Sequence, residues 1–167
     1  MKKIGIIMGS DSDRHIAEKA INILKEFGIN FEIHVYSAHR TSEEALTFAR
    51  EAREKGFGGI IAIAGKAAHL AGAIAANTTL PVVGVPVKSS DLGGLDALLS
   101  TVQMPPGIPV ATVAIDGGVN AALLCVEILS VTDAVIAEKL ADYREKMRKS
   151  VLEKNELIER ELSCECK

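Results

Sequence analysis

Three short segments carry side chains able to bind an anion or move a proton. They read "GSDSD" at residues 9–13, "SAHR" at residues 37–40 and "AGKAAH" at residues 64–69. Histidine changes its charge near neutral pH, and arginine presents a permanently charged fork of donors that suits a phosphate. Serines at the start of a helix lie beside free N–H groups that also favour an anion. These residue types predict a site for a phosphorylated small molecule, with a proton transfer.

The same residues have ordinary structural roles, and the sequence leaves both interpretations open. Ser10, Ser12 and Asp13 are typical helix-capping residues, although Asp13 is also an acceptor suited to sugar hydroxyls. Arg40 suits a surface ion pair as well as a phosphate. His39 is favoured as functional because it follows a strand on the same side as the serine-rich segment.

Several cofactors are disfavoured by the same segments. His39 and His69 both follow strands, but no carboxylate or thiolate accompanies them at the spacing of metal ligands. The sequence contains neither G-x-G-x-x-G nor a Walker-type G-x-x-x-x-G-K-[ST]. We therefore expect no metal, no dinucleotide and no ATP at this site.

The chain around these segments alternates between apolar runs and helical patterns. Continuous apolar strands joined by helices predict a parallel sheet covered on both faces, which is a three-layer α/β sandwich. The five predicted strands are residues 3–9, 31–37, 58–65, 81–87 and 109–115. In the second strand apolar residues alternate with Glu32, His34 and Tyr36, as in an edge strand. This favours the flavodoxin-like order 2-1-3-4-5, in which ligands bind beyond strands one to three, where the three segments lie.

Helix signals divide the rest of the chain. Gly28 ends the first helix, and Thr41 with Glu44 forms the T-x-x-E capping box of a second helix that runs towards Gly56. From Asp133, apolar residues keep helical spacing over about 30 residues, which corresponds to ~45 Å. We expect one catalytic domain over residues 1–167, with residues 133–167 as a helical extension that lies against a neighbouring subunit. The apolar positions of this extension are Ile136, Leu140, Tyr143, Met147, Val151, Ile158 and Leu162.

Composition limits the class of protein. The chain has 167 residues with 48% hydrophobic and 4% aromatic content and no Trp, so its core is built from Ala, Val, Ile and Leu. A net charge of -3 gives no basic field for nucleic acid or a membrane surface. No apolar run is long enough to cross a bilayer, and the N-terminus shows no leader. Three cysteines, two of them in the terminal "CECK", predict free thiols and a cytoplasmic protein.

Six segments together are similar to the PurE family of purine biosynthesis, the N5-carboxyaminoimidazole ribonucleotide mutases. They are "GSDSD", "SAHRT", "AGKAAHLAG", "LPVVGVPV", "LLSTVQMPPGIPVATVAI" and "NAALL", in the family's order and spacing between about residues 3 and 130. The resemblance implies a homo-octamer that binds a small nucleotide without metal or organic cofactor. It also implies that His39 is the catalytic acid and base. The substrate-binding positions that it implies are Ser10, Ser12, Asp13, Ser37, Arg40, Gly65, Lys66, Ala67, His69 and Leu70.

Two positions depart from the mutase pattern. Lys66 and Ala71 stand where the mutases usually have Gly and Pro, and related direct carboxylases carry a basic residue at the position of Lys66. Arg40 and His69 keep the mutase pattern, so the resemblance favours a mutase, with direct carboxylation by free carbon dioxide as the alternative. Lys66 is either solvated or close to the migrating carboxyl group. A non-catalytic nucleotide module or a flavin protein stays a further alternative, although the scarcity of aromatic residues disfavours flavin.

Overall fold

The computed structural model describes residues 2–163 and contains one five-stranded parallel sheet. Its strands are β1 (Lys3–Met8), β2 (Phe31–Val35), β3 (Phe57–Gly65), β4 (Val82–Val87) and β5 (Ala111–Thr112). They follow the order β2-β1-β3-β4-β5, and every neighbouring pair is parallel. The predicted order 2-1-3-4-5 is therefore confirmed. The terminal "CECK" thiols, for which we expected free cysteines, lie outside the described residues.

Helices follow the strands in alternation and cover both faces of the sheet. They are α1 (Arg14–Phe27), α2 (Ser42–Glu51), α3 (Leu70–Ala75), α4 (Leu95–Val102) and α5 (Gly118–Ser130). A further helix, α6 (Ala134–Leu162), follows α5 in the sequence. The predicted three-layer α/β fold with a long C-terminal helix is confirmed. In the described part of the chain, no helix is both long and apolar enough to cross a membrane.

Each face of the sheet has its own helices. On one face, Ala45 and Phe48 of α2 and Leu70 of α3 pack with Ile7 and Ile60 of the central strands. Residues of these two central strands are almost fully buried, which is why their sequence is continuously apolar. On the other face, α5 begins at Gly118 against the backbone of Ile16 in α1, where any Cβ would overlap the Ile16 carbonyl. This close approach requires glycine.

In the edge strand β2, the buried and exposed faces are the reverse of what side-chain polarity suggests. The ring of His34 stacks on Tyr36 with centroids 4.9 Å apart and lies 5.2 Å from the ring of Phe48 in α2. The alternate side chains Ile33 and Val35 are 39% and 49% exposed. The more polar face of β2 therefore packs on a helix, and the apolar face is open in the single chain.

Two details of the sequence interpretation differ in the structure. The predicted fifth strand shortens to Ala111–Thr112, since an edge strand has one neighbour, although the amides of Val113 and Asp116 still donate to Gly84 and Pro86 of β4. The prediction of a capping box at Thr41 and Glu44 is wrong. Thr41 precedes α2 but makes no side-chain cap; instead its hydroxyl oxygen accepts from the amide of Ser37 at 2.7 Å. The helix also ends at Glu51, and turns complete the path to Gly56.

The chain divides into two compact units, Met1–Leu129 and Ser130–Lys167. The second unit contains α6, whose N-terminus is capped by Asp133 through bonds from the amides of Val135 and Ile136 at 3.1 and 3.2 Å. The predicted long helix is confirmed, and it has 29 residues. Most of its large apolar side chains are exposed, among them Val135, Met147, Val151, Leu157, Ile158 and Leu162.

Candidate active site

A cavity of about 470 Å³ lies at the carboxyl ends of β1 to β4. Its position is the one that the strand order predicts for a ligand in this fold. Every residue that we expected at the site lines this cavity, namely His39, Ser10, Ser12, Asp13, Ser37, Arg40, Gly65, Lys66, Ala67, His69 and Leu70. The structure therefore brings together three loops that are distant in sequence.

In the loop after β1, which lines the cavity, Ser10 caps a short 3-10 helix at Asp11–Asp13. Asp13 precedes α1 but makes no side-chain cap on it. The Ser10 hydroxyl oxygen accepts from the amide of Ser12 at 3.3 Å, and the Ser12 hydroxyl lies 3.0 Å from Oδ1 of Asp13. Asp13 is only 7% exposed, and burial raises the pKa of its carboxyl. The Ser12 hydrogen bond opposes this shift, and the nearby Asp116 carboxylate adds to it. The two interpretations of this loop, capping and binding, are thus compatible.

The loop after β2 is a tight turn that presents two side chains at the cavity. The Ser37 hydroxyl oxygen accepts from the amides of His39 and Arg40 at 3.4 and 3.3 Å, while Thr41 binds the Ser37 amide. These bonds explain why Thr41 does not cap α2. Across residues 2–163, no carboxylate forms a salt bridge with the guanidinium of Arg40, so its charge is available to an anionic ligand.

Two histidines meet across the cavity. Nε2 of His39 lies 2.7 Å from Nδ1 of His69, and the two rings are edge to face with centroids 5.0 Å apart. At this distance one nitrogen carries the shared proton and the other accepts it. In the part of the chain that the structure describes, no three His, Cys, Asp or Glu side chains cluster as metal ligands would. The geometry of the pair suits proton transfer.

The loop after β3 contains Lys66, one of the two departures from the mutase pattern; the other, Ala71, is buried in α3. Lys66 adopts a φ of 52°, in the left-handed region that glycine adopts at no cost. Its ammonium lies 3.3 Å from Oδ2 of Asp91, and the two side chains are 71% and 63% exposed. Hydrogen bonding to Lys66 lowers the pKa of the Asp91 carboxyl. Lys66 thus lines the cavity with its charge at the rim.

Sequence reasoning missed the fourth wall of the cavity. This wall is the start of the loop after β4 and comprises Lys88, Ser89 and Ser90. The backbone amide of Lys88 donates to Oδ1 of Asp116 at 2.9 Å, which fixes the start of the loop. The available signal was the pair of serines directly after a buried parallel strand. The switch-point rule had restricted the expected site to the loops after β1, β2 and β3.

The chain is similar to known proteins of one family. Residues 3–150 match the family model described as AIR carboxylase. The chain is 59% identical over 155 residues to the N5-carboxyaminoimidazole ribonucleotide mutase of Methanocaldococcus jannaschii, covering 93% of this chain and 96% of that one. Identity to the protein of the same name from Pyrococcus abyssi is 58% over 149 residues, covering 89% and 86%.

More distant relatives carry related names. A chloroplastic phosphoribosylaminoimidazole carboxylase from Vigna aconitifolia is 46% identical over 94% of this chain, which matches 28% of that protein. The crystal structure of Treponema denticola PurE superposes with a TM-score of 0.86 at 32% identity, covering 98% of this chain and all of that one (100%). The fold, the matched residues and these relatives together show that the chain belongs to the PurE family, described as AIR carboxylase.

Proposed function

We propose that the protein is an N5-carboxyaminoimidazole ribonucleotide mutase of purine biosynthesis. The reaction moves a carboxyl group from the exocyclic nitrogen of an aminoimidazole ribonucleotide to a carbon of the imidazole ring, so the enzyme is an isomerase. The observation that carries the proposal is the contact between His39 and His69 inside a cavity that also presents Arg40 and Asp13. Relatives at more than half identity carry the same name.

The chemistry needs one proton donor that later becomes an acceptor. In the first half, His39 gives a proton to the carbamate nitrogen, the bond from nitrogen to the carboxyl carbon breaks, and carbon dioxide leaves. In the second half, the ring carbon attacks carbon dioxide and His39 takes the proton from that carbon, so the protons balance. Such acid–base catalysis is typically worth ~10²–10⁴-fold in rate. His69, at 2.7 Å from His39, orients the ring and shares its proton.

The other polar residues hold the end of the nucleotide that does not react. Arg40 offers a charged fork that suits the phosphate, and charge-assisted bonds of this kind are among the stronger hydrogen bonds. Ser10, Ser12 and Ser37 supply hydroxyls beside the same wall, and Asp13 accepts from the ribose hydroxyls. Anchoring at this end keeps the imidazole close to His39, which lowers the entropic cost of the reaction.

An apolar part of the cavity suits the released carbon dioxide. The small or aliphatic side chains that line the cavity are Ala38, Ala64, Ala67, Leu70 and Val87. Carbon dioxide is uncharged and requires no hydrogen-bond donor there. Excluding water from this part favours recapture by the ring carbon over loss to solvent.

Direct carboxylation of aminoimidazole ribonucleotide by free carbon dioxide is the second candidate. The observation that favours it is Lys66, a basic residue where the mutases usually have glycine. The Lys66 ammonium is paired with Asp91 at the rim rather than free in the cavity. The pairing favours the mutase, since a neutralised ammonium recruits bicarbonate or carboxylate weakly.

The test is to mix the pure full-length protein with the carbamate nucleotide, without ATP or added bicarbonate, and to identify the product by NMR. We expect conversion to 4-carboxy-5-aminoimidazole ribonucleotide faster than the carbamate decays spontaneously. Product formed solely from aminoimidazole ribonucleotide plus bicarbonate would establish the carboxylase instead. Binding without any turnover would establish a non-catalytic nucleotide module.

We further propose that residues 1–167 form one catalytic domain with α6 as an extension, and that the enzyme is a cytoplasmic homo-octamer. The support is the row of exposed apolar side chains on α6, which a neighbouring subunit would cover. Truncation after Tyr143 should lower the number of subunits in the oligomer, measured by light scattering. An intact octamer after truncation would contradict the role of α6.

A further inference from the structure

Two loops meet at the rim of the cavity through a single pair of charges. The β3–α3 loop, residues 66–69, contributes Lys66, and the β4–α4 loop, residues 88–94, contributes Asp91. Their side-chain charges are 3.3 Å apart and both are largely exposed. No catalytic step of the proposed reaction uses this contact. The ion pair nevertheless joins two walls of the site.

The β3–α3 side of the contact has an unusual backbone. A lysine rarely adopts a positive φ, and Lys66 does so at 52°. A glycine would adopt this conformation freely, but a glycine has no charge to offer to Asp91. Lys66 therefore combines a strained backbone with a side chain that reaches the β4–α4 loop.

The β4–α4 side is fixed at its start and has two glycines at its end. Asp116 accepts from the amide of Lys88 at 2.9 Å, which attaches the start of the loop to the segment after β5. The loop ends at Gly93 and Gly94, which have φ values of 63° and 96°. An added Cβ at Gly93 would meet nothing within 4 Å, whereas one at Gly94 would lie 3.0 Å from Cγ2 of Ile115. Asp91 lies between the fixed start and the two glycines.

We propose that Lys66 and Asp91 are positioning residues that tie these two loops together and thereby slow the escape of carbon dioxide from the cavity. The inference rests on the proposed function, because only a reaction with a free carbon dioxide intermediate needs retention. Ser89 and Ser90 line the cavity directly before Asp91, so displacement of Asp91 outwards opens the same wall. The pair acts through loop position and touches no reacting atom.

The size of the effect follows from the exposure of the pair. An ion pair between solvent-exposed side chains changes an equilibrium constant by at most about fivefold. We therefore expect the ratio of recaptured to escaped carbon dioxide to fall two- to fivefold when the pair is removed. High salt should lower the ratio in the parent as well, because the Debye length is only about 3 Å at 1 M.

The experiment follows the fate of the carboxyl carbon. The carbamate nucleotide is labelled with ¹³C in its carboxyl group and converted in the presence of excess unlabelled bicarbonate and carbonic anhydrase. Mass spectrometry then gives the labelled and unlabelled fractions of the carboxylated product, together with the aminoimidazole ribonucleotide that is released. Because the carbamate also decays without enzyme, the release measured without enzyme is subtracted and the variants are compared at equal rates of conversion.

Four variants define the outcome. Lys66→Asn keeps a residue that tolerates a positive φ and removes the charge, and Asp91→Asn removes the partner. Both should lower label retention, and the reversed pair Lys66→Asp with Asp91→Lys should restore it. Lys55→Gln is the matched control, since it breaks the exposed pair of Lys55 with Glu51 away from the cavity. This control should retain label as the parent does.

The outcomes separate this inference from the proposed function. If the parent forms no carboxylated product from the carbamate, the proposed function fails. If the parent forms product and both single variants retain as much label as the parent, the tie between the loops is overturned. Loss of retention without rescue by the reversed pair also overturns it, because the effect then belongs to one side chain and not to the pair.

Discussion

The β3–α3 loop touches its two neighbouring loops through contacts of opposite kinds. On one side Nδ1 of His69 lies 2.7 Å from Nε2 of His39 in the β2–α2 loop, so two ring nitrogens share a hydrogen bond. On the other side Lys66 meets Asp91 of the β4–α4 loop at 3.3 Å, between two fixed charges that solvent surrounds. One contact can take part in chemistry, and the other can only hold position.

This difference predicts very different consequences for the same kind of substitution. Removing a group that transfers a proton in the transition state raises the barrier directly, by ~3–5 kcal/mol when acid–base catalysis is lost. Removing one member of an exposed ion pair changes a free energy by about 0.2–1 kcal/mol. The size of the free-energy change on substitution therefore distinguishes a catalytic contact from a positioning contact.

The largest expected effect is on His39. We predict that His39→Asn lowers kcat by ~10²–10⁴-fold, because asparagine keeps a polar side chain but cannot cycle a proton. Steady-state turnover of the carbamate nucleotide measures this. His34→Asn is the control, since His34 lies on β2 and outside the residues that line the cavity. A loss of less than tenfold in His39→Asn would place the acid and base elsewhere.

Arg40 should show the next largest effect, in binding. Arg40→Ala removes a charged donor from the phosphate end, and hydrogen bonds to charged groups contribute about 1.5–3 kcal/mol. We predict that the Kd for the product nucleotide rises about tenfold or more, measured by calorimetry. Arg53→Ala is a suitable control, because Arg53 binds Thr79 away from the cavity. Unchanged affinity in Arg40→Ala would mean that the phosphate binds at another wall.

Asp13 should lower the stability of the fold while it supports nucleotide binding. Burial raises its pKa from 3.8, so its ionised form destabilises the folded state at neutral pH. Asp13→Asn should therefore raise the urea midpoint of unfolding at pH 7 while weakening nucleotide binding. The gain should shrink as the pH falls towards the raised pKa, because the folded parent then takes up the proton more readily than the unfolded chain. A gain that is constant with pH would rule out this electrostatic cause.

The smallest effect concerns the strained backbone at Lys66. Asparagine tolerates a positive φ better than lysine, and the conformation costs roughly 1–2 kcal/mol for most residues. The substitution also removes the exposed ion pair with Asp91, which offsets part of the gain. We therefore predict that Lys66→Asn raises the free energy of unfolding by up to about 1 kcal/mol. Chemical denaturation measures it, with Lys55→Asn as a control at a residue without positive φ. A destabilised Lys66→Asn would show that the ion pair outweighs the strain.

The sequence was sufficient for the sheet and for three of the four loops. Continuous apolar strands require a covered parallel sheet, and the polar alternation of Glu32, His34 and Tyr36 identified the edge from which the order follows. The order then placed His39 and His69 at one end. The predicted capping box failed because the Thr41 hydroxyl could bond either to the first turn of α2 or to the backbone of Ser37. In the structure it bonds to the amide of Ser37.

The contact between Lys66 and Asp91 had no sequence signal. Each residue belongs to an ordinary polar loop, and nothing in the spacing of the two relates one loop to the other. Likewise, a positive φ at a lysine follows from the path of the chain around the cavity rather than from propensity. Contacts between loops depend on how the strands before them are paired, so they become visible only in the assembled sheet.

The central claim is that His39 performs chemistry and does not merely bind the nucleotide. The most direct measurement compares binding and turnover in one preparation of His39→Asn, by calorimetry with the carboxylated product and by single turnover of the carbamate. We predict that the Kd stays within about threefold of the parent while the single-turnover rate falls by ~10²-fold or more. A Kd that rises as much as the rate falls, or a rate that is unchanged, would contradict the account.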